Sequence, residues 1–264
     1  MPGDRTDISI VIPTYREAAN VAVVVPRIAS ALEPSGRSFE ILIVDDDSRD
    51  GVERVVADLA EGCRAELIVR TERRDLSLAV VEGLQRARGR VLVVMDADAS
   101  HPPEKIPELL AALERAPTDL VLGSRFTAGG RTAHWGGSRR LNSWVATLLC
   151  RPLTGGVADP MAGFFALHRE TFDRADGLNP IGYKIGLELI CRCPCRHVVE
   201  VPITFQNRAR GESKLDLEQQ ARYLIHLDRL YRDFRRGWSV LLRPVIWVML
   251  LGVRVLACGT KVGR

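Results

Sequence analysis

Short runs of branched apolar residues alternate with helical stretches along the first half of the chain. The runs predict strands buried on both faces of a sheet. We expect strands at residues 8–15, 39–44, 65–71, 90–95 and 119–125, and helices at 17–32, 52–60, 76–87 and 104–115. Strands that alternate with helices favour the α/β class, with a doubly wound, mainly parallel sheet flanked by helices.

The pattern changes after residue 125. Glycine and small polar residues predict a mobile loop at 127–137. We expect helices at 139–150 and 182–191, a turn at 159–163, an apolar segment at 164–167 and a strand at 197–205. We therefore divide the chain into a catalytic domain, 1–215, and a C-terminal part, 216–264.

The C-terminal part has the pattern of a membrane-associating tail. Residues 217–236 form a basic amphipathic helix, which suits a membrane surface or a partner groove. Residues 240–258 are strongly apolar, but their uninterrupted core, 245–253, is shorter than the about 20 residues that cross a bilayer. We expect interfacial contact, with packing on the domain or a truncated membrane segment as alternatives.

Two carboxylates, Asp96 and Asp98, follow the apolar run at 90–95 directly. In open α/β sheets ligands bind outside the carboxyl ends of the strands, where this pair emerges. Carboxylates spaced Asp-x-Asp can hold a hard divalent cation against a diphosphate. The alternative is that both cap the helix that follows Pro102 and Pro103, but one cap needs only one acid. The second acid favours a metal site.

Other polar residues lie near predicted strand ends or in loops. An acid at 45–47 could accept a hydrogen bond from a base or ribose. Arg208, Arg210 and Lys214 flank Gly211 in a loop that could wrap phosphate oxygens, or could simply be a solvated basic loop. Lys184 and Glu188 are spaced i, i+4 on a predicted helix. They could form a surface ion pair, or they could be functional residues.

Composition and motifs exclude several classes. A net charge of +4 is too small for a general nucleic-acid binder. No Gly-x-Gly-x-x-Gly follows the first strand and no Walker loop exists, so metal-bridged phosphates would replace a glycine cradle. Six cysteines without a secretory signal favour a reduced cytosolic chain, and the spacing in 191–195 is not that of a zinc ribbon.

The motifs together resemble one enzyme family. They are Val-Ile-Pro-Thr-Tyr-Arg-Glu-Ala-Ala-Asn ending at Asn20, Val-Asp-Asp-Asp-Ser-Arg-Asp-Gly ending at Gly51, Met-Asp-Ala-Asp ending at Asp98 with His-Pro-Pro ending at Pro103, Gly-Ser-Arg ending at Arg125, Asp-Pro-Met-Ala-Gly-Phe ending at Phe164, and Arg-Ala-Arg-Gly-Glu-Ser-Lys-Leu ending at Leu215. In this order they resemble the inverting family-two GT-A glycosyltransferases, above all those of the dolichol-phosphate mannose synthase type and related polyprenyl-phosphate glycosyltransferases. The resemblance covers about residues 8–236.

The resemblance implies a set of site residues. Nucleotide-sugar contacts would come from Pro13, Tyr15, Glu17, Val44, Asp46, Asp96, Ala97, Asp98, Ser100 and Lys214. The acceptor phosphate would be bound by Arg125, Arg139, Ser143 and Arg208. The expected catalytic residues are these three arginines and Asp98. Mg²⁺ or Mn²⁺ would be held by Asp96, Asp98 and Ser100. The position of Ser100 usually carries glutamine in this family, so a water would fill the gap that the shorter serine leaves. Asp47 and Asp75 stand where the family usually has asparagine and glycine.

The resemblance also implies substrates and place of action. The expected reaction moves mannose from GDP-mannose to dolichyl or another polyprenyl phosphate, at the cytoplasmic face of a membrane, as a peripheral or monotopic protein with a possible separate anchoring subunit. A lipid phosphate needs no general base, because it is largely dianionic at pH 7. The alternatives are a polyprenyl-phosphate transferase with a UDP-sugar donor, a nucleotidyltransferase and a non-catalytic membrane scaffold.

Overall fold

The computed structural model describes residues 6–132, 137–206, 217–234 and 236–259, with side chains except at 138–140, 236, 238–239 and 254–259. Its strands are β1 (Ile8–Thr14), β2 (Phe39–Asp45), β3 (Ala65–Val69), β4 (Val91–Val94), β5 (Leu120–Ser124), β6 (Arg131–Thr132), β7 (Phe165–His168), β8 (Val198–Pro202) and β9 (Thr204–Phe205). Its helices are α1 (Ala18–Leu32), α2 (Val52–Cys63), α3 (Leu76–Arg86), α4 (Ile106–Leu113), α5 (Gly137–Thr154), α6 (Arg169–Asp173), α7 (Ile185–Arg192), α8 (Leu217–Phe234) and α9 (Arg236–Gly259).

Seven strands form one sheet in the order β3-β2-β1-β4-β7-β5-β8. Every pair is parallel except those of β7, which runs antiparallel between β4 and β5. The predicted α/β class and mainly parallel sheet are therefore confirmed. The chain reaches β2 on one side of β1 and β4 on the other, which makes the β1–β4 boundary the switch point where such sheets bind ligands.

Apolar clusters cover both faces of the sheet. One joins the strands to α1, α2 and α4, and the other joins them to α3 and α7. In β1 and β2 every residue is buried, as expected for strands covered on both faces.

Two local expectations differ from the structure. The segment 127–137, expected to be a mobile loop, contains β6, which pairs with β9. The helix expected from 104 begins as a 3₁₀ turn at Pro103–Lys105, and α4 begins only at Ile106.

A third apolar cluster joins α5, α7, α8 and α9. Tyr223 and Tyr231 of α8 anchor it, because their hydroxyls donate to the carbonyl oxygens of Ala146 and Leu149 in α5, each at 2.7 Å. No helix in the described part of the chain is both long enough and apolar enough to span a membrane. The helices after residue 216 thus pack on the rest of the molecule, and the proposed division at 215 stays a prediction.

Candidate functional site

A cleft of about 900 Å³ lies at the carboxyl ends of the strands nearest the switch point. One side is polar and comes from the segments that follow β1, β2, β3, β4 and β5. The other side comes from α5, α8 and α9, which contribute apolar residues such as Leu149, Leu224 and Met249 together with polar ones such as Glu218, Gln219 and Arg222. The polar lining includes Thr14, Tyr15, Glu17, Asp46, Arg74, Asp75, Asp96, Asp98, His101 and Arg125.

A tight turn after β4 presents the Asp-x-Asp pair to this cleft. Asp98 is buried, and one of its carboxylate oxygens accepts from the backbone N–H of Ser100 at 3.0 Å. The side chain of Asp96 keeps 32% of its exposure. Ala99 has φ 60°, a left-handed conformation that is uncommon outside glycine and is found at constrained functional turns.

His101 fixes the conformation of this turn. Its Nδ1 atom accepts from the backbone N–H of Asp96 at 3.1 Å, and its ring stacks on Phe164 with centroids 5.4 Å apart. Burial lowers the pKa of His101, although the charges of Asp96 and Asp98 oppose that shift. A neutral imidazole leaves Nδ1 free to accept, as the observed hydrogen bond requires.

Glycine at 163 lets a neighbouring segment approach the acid pair. A Cβ atom at Gly163 would lie 3.3 Å from a carboxylate oxygen of Asp96 and 3.3 Å from the ring of His101. Any larger residue here would press on Asp96 from the other wall of the cleft.

The three aspartates after β2 have separate surroundings. Asp45 is buried and accepts from Thr14 and Ser48. Asp46 lines the cleft and binds the Arg70 guanidinium and the backbone N–H of Asp75. Burial raises the pKa of Asp46, with Arg70 opposing the shift.

Asp47 pairs with Arg49 at the surface, at 2.8 Å. Asp46 is thus the carboxylate of this trio that reaches the candidate nucleoside site.

The start of α3 closes the polar side of the cleft. Asp75 caps the helix by accepting from the backbone N–H groups of Ser77 and Leu78, at 3.0 and 3.4 Å. Its second oxygen accepts from the N–H of Gly182 at 3.2 Å, which joins α3 to the segment before α7. Beside it, the guanidinium of Arg74 lies 4.1 Å from the Tyr15 ring centroid, a cation–π distance.

Arg125 is held by an aspartate at the start of the Asp-Pro-Met-Ala-Gly segment. Its Nε and Nη2 atoms donate to the two oxygens of Asp159, both at 2.7 Å, and Asp159 is fully buried. Bidentate pairs of this kind fix geometry as well as charge. Much of the positive charge that Arg125 brings to the cleft is therefore balanced by Asp159.

The structure brings most of the predicted site residues together. Pro13, Tyr15, Glu17, Asp46, Asp96, Ala97, Asp98, Arg125 and Ser143 line the one cleft. Two do not line it: the side chains of Val44 and Ser100 are fully buried, and Ser100 Oγ has no hydrogen-bond partner. That position gives no support to Ser100 as a metal ligand. Arg208 and Lys214 lie outside the described residues, as does the side chain of Arg139.

Sequence reasoning gave no role to several residues at the site. Asp159 was visible only as part of a motif, and Arg74 had no signal beyond its charge. The surface ion pair considered between Lys184 and Glu188 is wrong, because Glu188 is fully buried and binds His226 and Arg192 instead. Lys184 lines the cleft.

The family profile described as "Glycosyl transferase family 2" matches residues 9–175, well over half of the chain. That span includes the Asp-x-Asp turn, Arg125 and Asp159. The chain belongs to glycosyl transferase family 2.

Within this family, the chain is similar to curated polyprenyl-phosphate enzymes. It is 42% identical to the dolichol-phosphate mannosyltransferase of Pyrococcus furiosus over 85% of this chain and 64% of that protein. It is 42% identical to that of Mycosarcoma maydis over 92% and 83% of the two chains. It is 37% identical to the undecaprenyl-phosphate mannosyltransferase of Micrococcus luteus over 78% and 86%. The chain thus spans less than two thirds of the length of the Pyrococcus relative.

Solved structures share the family-2 fold. Mannosyl-3-phosphoglycerate synthase from Rubrobacter xylanophilus matches with a TM-score of 0.68 at 21% identity, over 89% of this chain and 76% of that one. Glucosyl-3-phosphoglycerate synthase from Mycobacterium tuberculosis, in complex with Mn²⁺, UDP and glucosyl-3-phosphoglycerate, matches with a TM-score of 0.60 at 22% identity, over 87% and 80%. At these identities the matches show the fold.

Proposed function

We propose that this family-2 glycosyltransferase moves mannose from GDP-mannose to a dolichyl or other polyprenyl phosphate, with inversion at the anomeric carbon. One observation carries the proposal: a single cleft joins an acidic turn on one side to apolar residues of α5, α8 and α9 on the other, among them Leu149, Leu224 and Met249. A nucleoside diphosphate sugar suits the first and a prenyl chain suits the second. The names of the relatives support mannose as the sugar and a polyprenyl phosphate as the acceptor.

The acid pair fits a divalent metal that arrives with the donor. Asp96 and Asp98 offer hard carboxylate oxygens to the cleft. The described residues contain no group of three or more His, Cys, Asp or Glu that could hold a metal by itself. Mg²⁺ is commonly bound in this way, by one or two carboxylates together with substrate phosphates. When bound, the metal supplies Lewis-acid stabilisation of the leaving diphosphate.

The remaining residues orient the donor. Tyr15 and Arg74 present a flat, cationic surface beside Asp46, suited to a nucleoside. His101 and the strained turn at Ala99 hold the two carboxylates in place before the substrate binds. Such preorganisation removes the cost of arranging charges during the reaction.

Bond formation needs alignment more than proton transfer. A phosphate oxygen of the acceptor attacks the anomeric carbon from the face opposite the diphosphate, the glycosidic C–O bond breaks, and GDP leaves with the electron pair. The acceptor oxygen carries no proton to remove, since a phosphate monoester has its second pKa near 6. Arg125 is one candidate contact for this phosphate, together with Ser143, Arg139 and Arg208.

The outer surfaces of α5 and α9 support membrane association. Leu141, Trp144 and Leu148 form an exposed apolar row on α5, at helical spacing. Exposed residues of α9 include Val240, Leu241, Val245, Trp247, Val248 and Leu251. Because both helices also border the cleft, an acceptor chain could reach it from a lipid surface. We propose a peripheral position at the cytoplasmic face; a separate anchoring subunit stays a prediction.

The decisive experiment measures sugar transfer to a short polyprenyl phosphate. Radiolabelled GDP-mannose or UDP-glucose is supplied with Mg²⁺, Mn²⁺ or EDTA, and labelled lipid is counted. We expect mannosyl lipid from GDP-mannose with either metal and none with EDTA. Labelled lipid from UDP-glucose alone would contradict GDP-mannose as the donor but would still support a polyprenyl phosphate as the acceptor. Consumption of the sugar donor without labelled lipid would contradict the polyprenyl phosphate as the acceptor.

A further inference from the structure

Lys184 occupies a fixed position at the N-terminus of α7. It is the residue before the first turn of that helix, and its side chain lines the cleft. The backbone just before it is held at two points by α3, since Gly182 donates to Asp75 at 3.2 Å and accepts from Ser77 at 3.1 Å. The lysine is therefore presented to the cleft by a braced segment.

The ammonium group of Lys184 has no ion-pair partner among the residues that the structure describes. Among the residues that the structure describes, it makes no hydrogen bond or ion pair, and the nearest recorded contact of Nζ is the ring of Tyr183, 4.3 Å from its centroid. Burial, and then the charge of Arg125, lower the pKa of Lys184 to about 8. Asp159 and Asp96 oppose that shift, but Asp159 is already bound to Arg125. A part-buried cation without an ion-pair partner is stabilised when an anionic ligand binds beside it.

The surroundings identify the kind of anion. The charges of Arg125, Asp159 and Asp96 and the thiol of Cys150 in α5 all act on Lys184. Lys184 lines the same cleft as the acid pair and as the apolar residues Leu149 of α5 and Leu224 of α8. The residues suited to a nucleoside, Tyr15 and Arg74, belong instead to the segments after β1 and β3. An anion with an apolar tail matches the place of Lys184 better than a nucleotide does.

We propose that Lys184 binds the phosphate group of the acceptor lipid and holds it beside the Asp-x-Asp turn. This inference rests on the proposed function and adds a residue to its acceptor site. Because Asp159 balances much of the charge of Arg125, Lys184 would provide the stronger cationic contact to the phosphate. A point charge with three donors suits a phosphate that must turn one oxygen toward the sugar.

The test compares Lys184→Met with Lys184→Arg and with Lys105→Met. Lys105 is a matched control, because it pairs with Glu108 on the surface of the molecule and does not line the cleft. Initial rates are measured against farnesyl phosphate at saturating GDP-mannose, and against GDP-mannose at saturating farnesyl phosphate. Far-ultraviolet circular dichroism and the urea midpoint confirm that each variant is folded.

We expect Lys184→Met to raise the KM for farnesyl phosphate roughly tenfold or more, the loss that removing a charge-assisted hydrogen bond produces. The KM for GDP-mannose should change less than about twofold, Lys184→Arg should recover most of the effect, and Lys105→Met should match the wild type. A raised KM for GDP-mannose alone, or no change in either, overturns the proposal.

A binding measurement separates this inference from the proposed function. If the wild type transfers no mannose, the proposed function fails, and calorimetric binding of farnesyl phosphate then decides about Lys184. Weaker binding by Lys184→Met, with farnesol bound equally by both proteins, supports the phosphate contact. Equal binding of farnesyl phosphate by wild type and variant overturns it.

Discussion

Identical residues at adjacent positions have different roles at this site. Asp45 holds the loop after β2 to β1, Asp46 faces the cleft, and Asp47 binds an arginine at the surface. The difference arises from what each carboxylate meets after folding. Asp46 keeps its place because Arg70 offsets the cost of its burial.

The first prediction at this scale concerns Asp98. Asparagine keeps the size of the side chain and an oxygen to accept from Ser100, but removes the negative charge that would hold a metal. We expect Asp98→Asn to lower transfer by roughly 10²-fold or more, the usual effect of losing one electrostatic group at an active site.

The measurement is mannosyl transfer at several Mn²⁺ concentrations, with the urea midpoint as a folding control. Near-wild-type transfer by a folded Asp98→Asn protein would rule out the metal role of this acid.

A second residue-scale prediction concerns Asp75. Its carboxylate caps α3 and also binds Gly182. We expect Asp75→Ala to reduce the free energy of unfolding by about 1 to 2 kcal/mol, since it removes the helix cap. Urea denaturation measures this change. Glu72→Ala is the matched control, because Glu72 is exposed just before the same helix and should change stability by less than about 0.5 kcal/mol. Equal free energies of unfolding for Asp75→Ala and Glu72→Ala would show that the cap is dispensable.

At the scale of elements, a buried hydrogen bond joins α7 to α8. Glu188 Oε2 and His226 Nε2 are 2.6 Å apart, and both side chains are fully buried. The other oxygen of Glu188 accepts from the backbone of Asn179 and from Arg192. Since α7 follows Lys184 and α8 lines the cleft, this contact holds two walls of the site together.

We expect Glu188→Ala to destabilise the protein by about 3 kcal/mol, because it leaves buried hydrogen-bonding groups without their partner. Glu170→Ala is the control: Glu170 makes an exposed pair with Arg174, and such pairs contribute 0 to 1 kcal/mol. Urea denaturation at pH 7 compares the two variants. Similar small effects for both would contradict the structural role of Glu188.

The same residue predicts a dependence on pH. Burial favours the neutral carboxyl group, but the hydrogen bonds from His226 and Asn179 outweigh it and lower the pKa of Glu188 below its ordinary value of 4.5. A lowered pKa in the folded state means that the stabilisation is present above pH 4.5 and is lost as pH falls through the folded pKa. The stability difference between wild type and Glu188→Gln should therefore shrink below pH 4.5. A difference that grows with acid would contradict this sign.

At the scale of the whole molecule, the exposed apolar rows of α5 and α9 predict membrane binding. Trp144 is 62% exposed and Trp247 is 50% exposed, one on each helix. We expect the double change Trp144→Ser and Trp247→Ser to weaken binding to phosphatidylcholine vesicles roughly tenfold to a hundredfold. A large apolar side chain contributes about 1.5 to 3 kcal/mol when it is fully buried, and only about half of each tryptophan is exposed and available to the membrane.

Vesicle co-sedimentation measures this binding. Val23→Ser is the control, since Val23 is 55% exposed on α1, away from these helices. An equal loss in the control variant, or no loss in the double variant, would remove α5 and α9 as the membrane surface.

Much of the architecture follows from local patterns in the sequence. The buried strands β1, β2 and β4 were predictable because continuous apolar runs satisfy a strand that is covered on both faces. The Asp-x-Asp pair was predictable as a site because polar groups at the ends of parallel strands meet at one edge, and the resemblance of the motifs to a known family added Tyr15, Asp46 and Arg125. These inferences need only the neighbours of each residue in the chain.

Other features depend on residues that are distant in sequence. The antiparallel place of β7 between β4 and β5, and the pairing of β6 with β9, join segments at least 40 residues apart. The ion pair of Arg125 with Asp159 and the hydrogen bond between Glu188 and His226 likewise join separate segments. The sequence by itself determined the strands and the chemistry at their ends. Only the tertiary structure decided which charges are paired and that Lys184 faces the cleft, because the free energy of a buried charge depends on its neighbours in space.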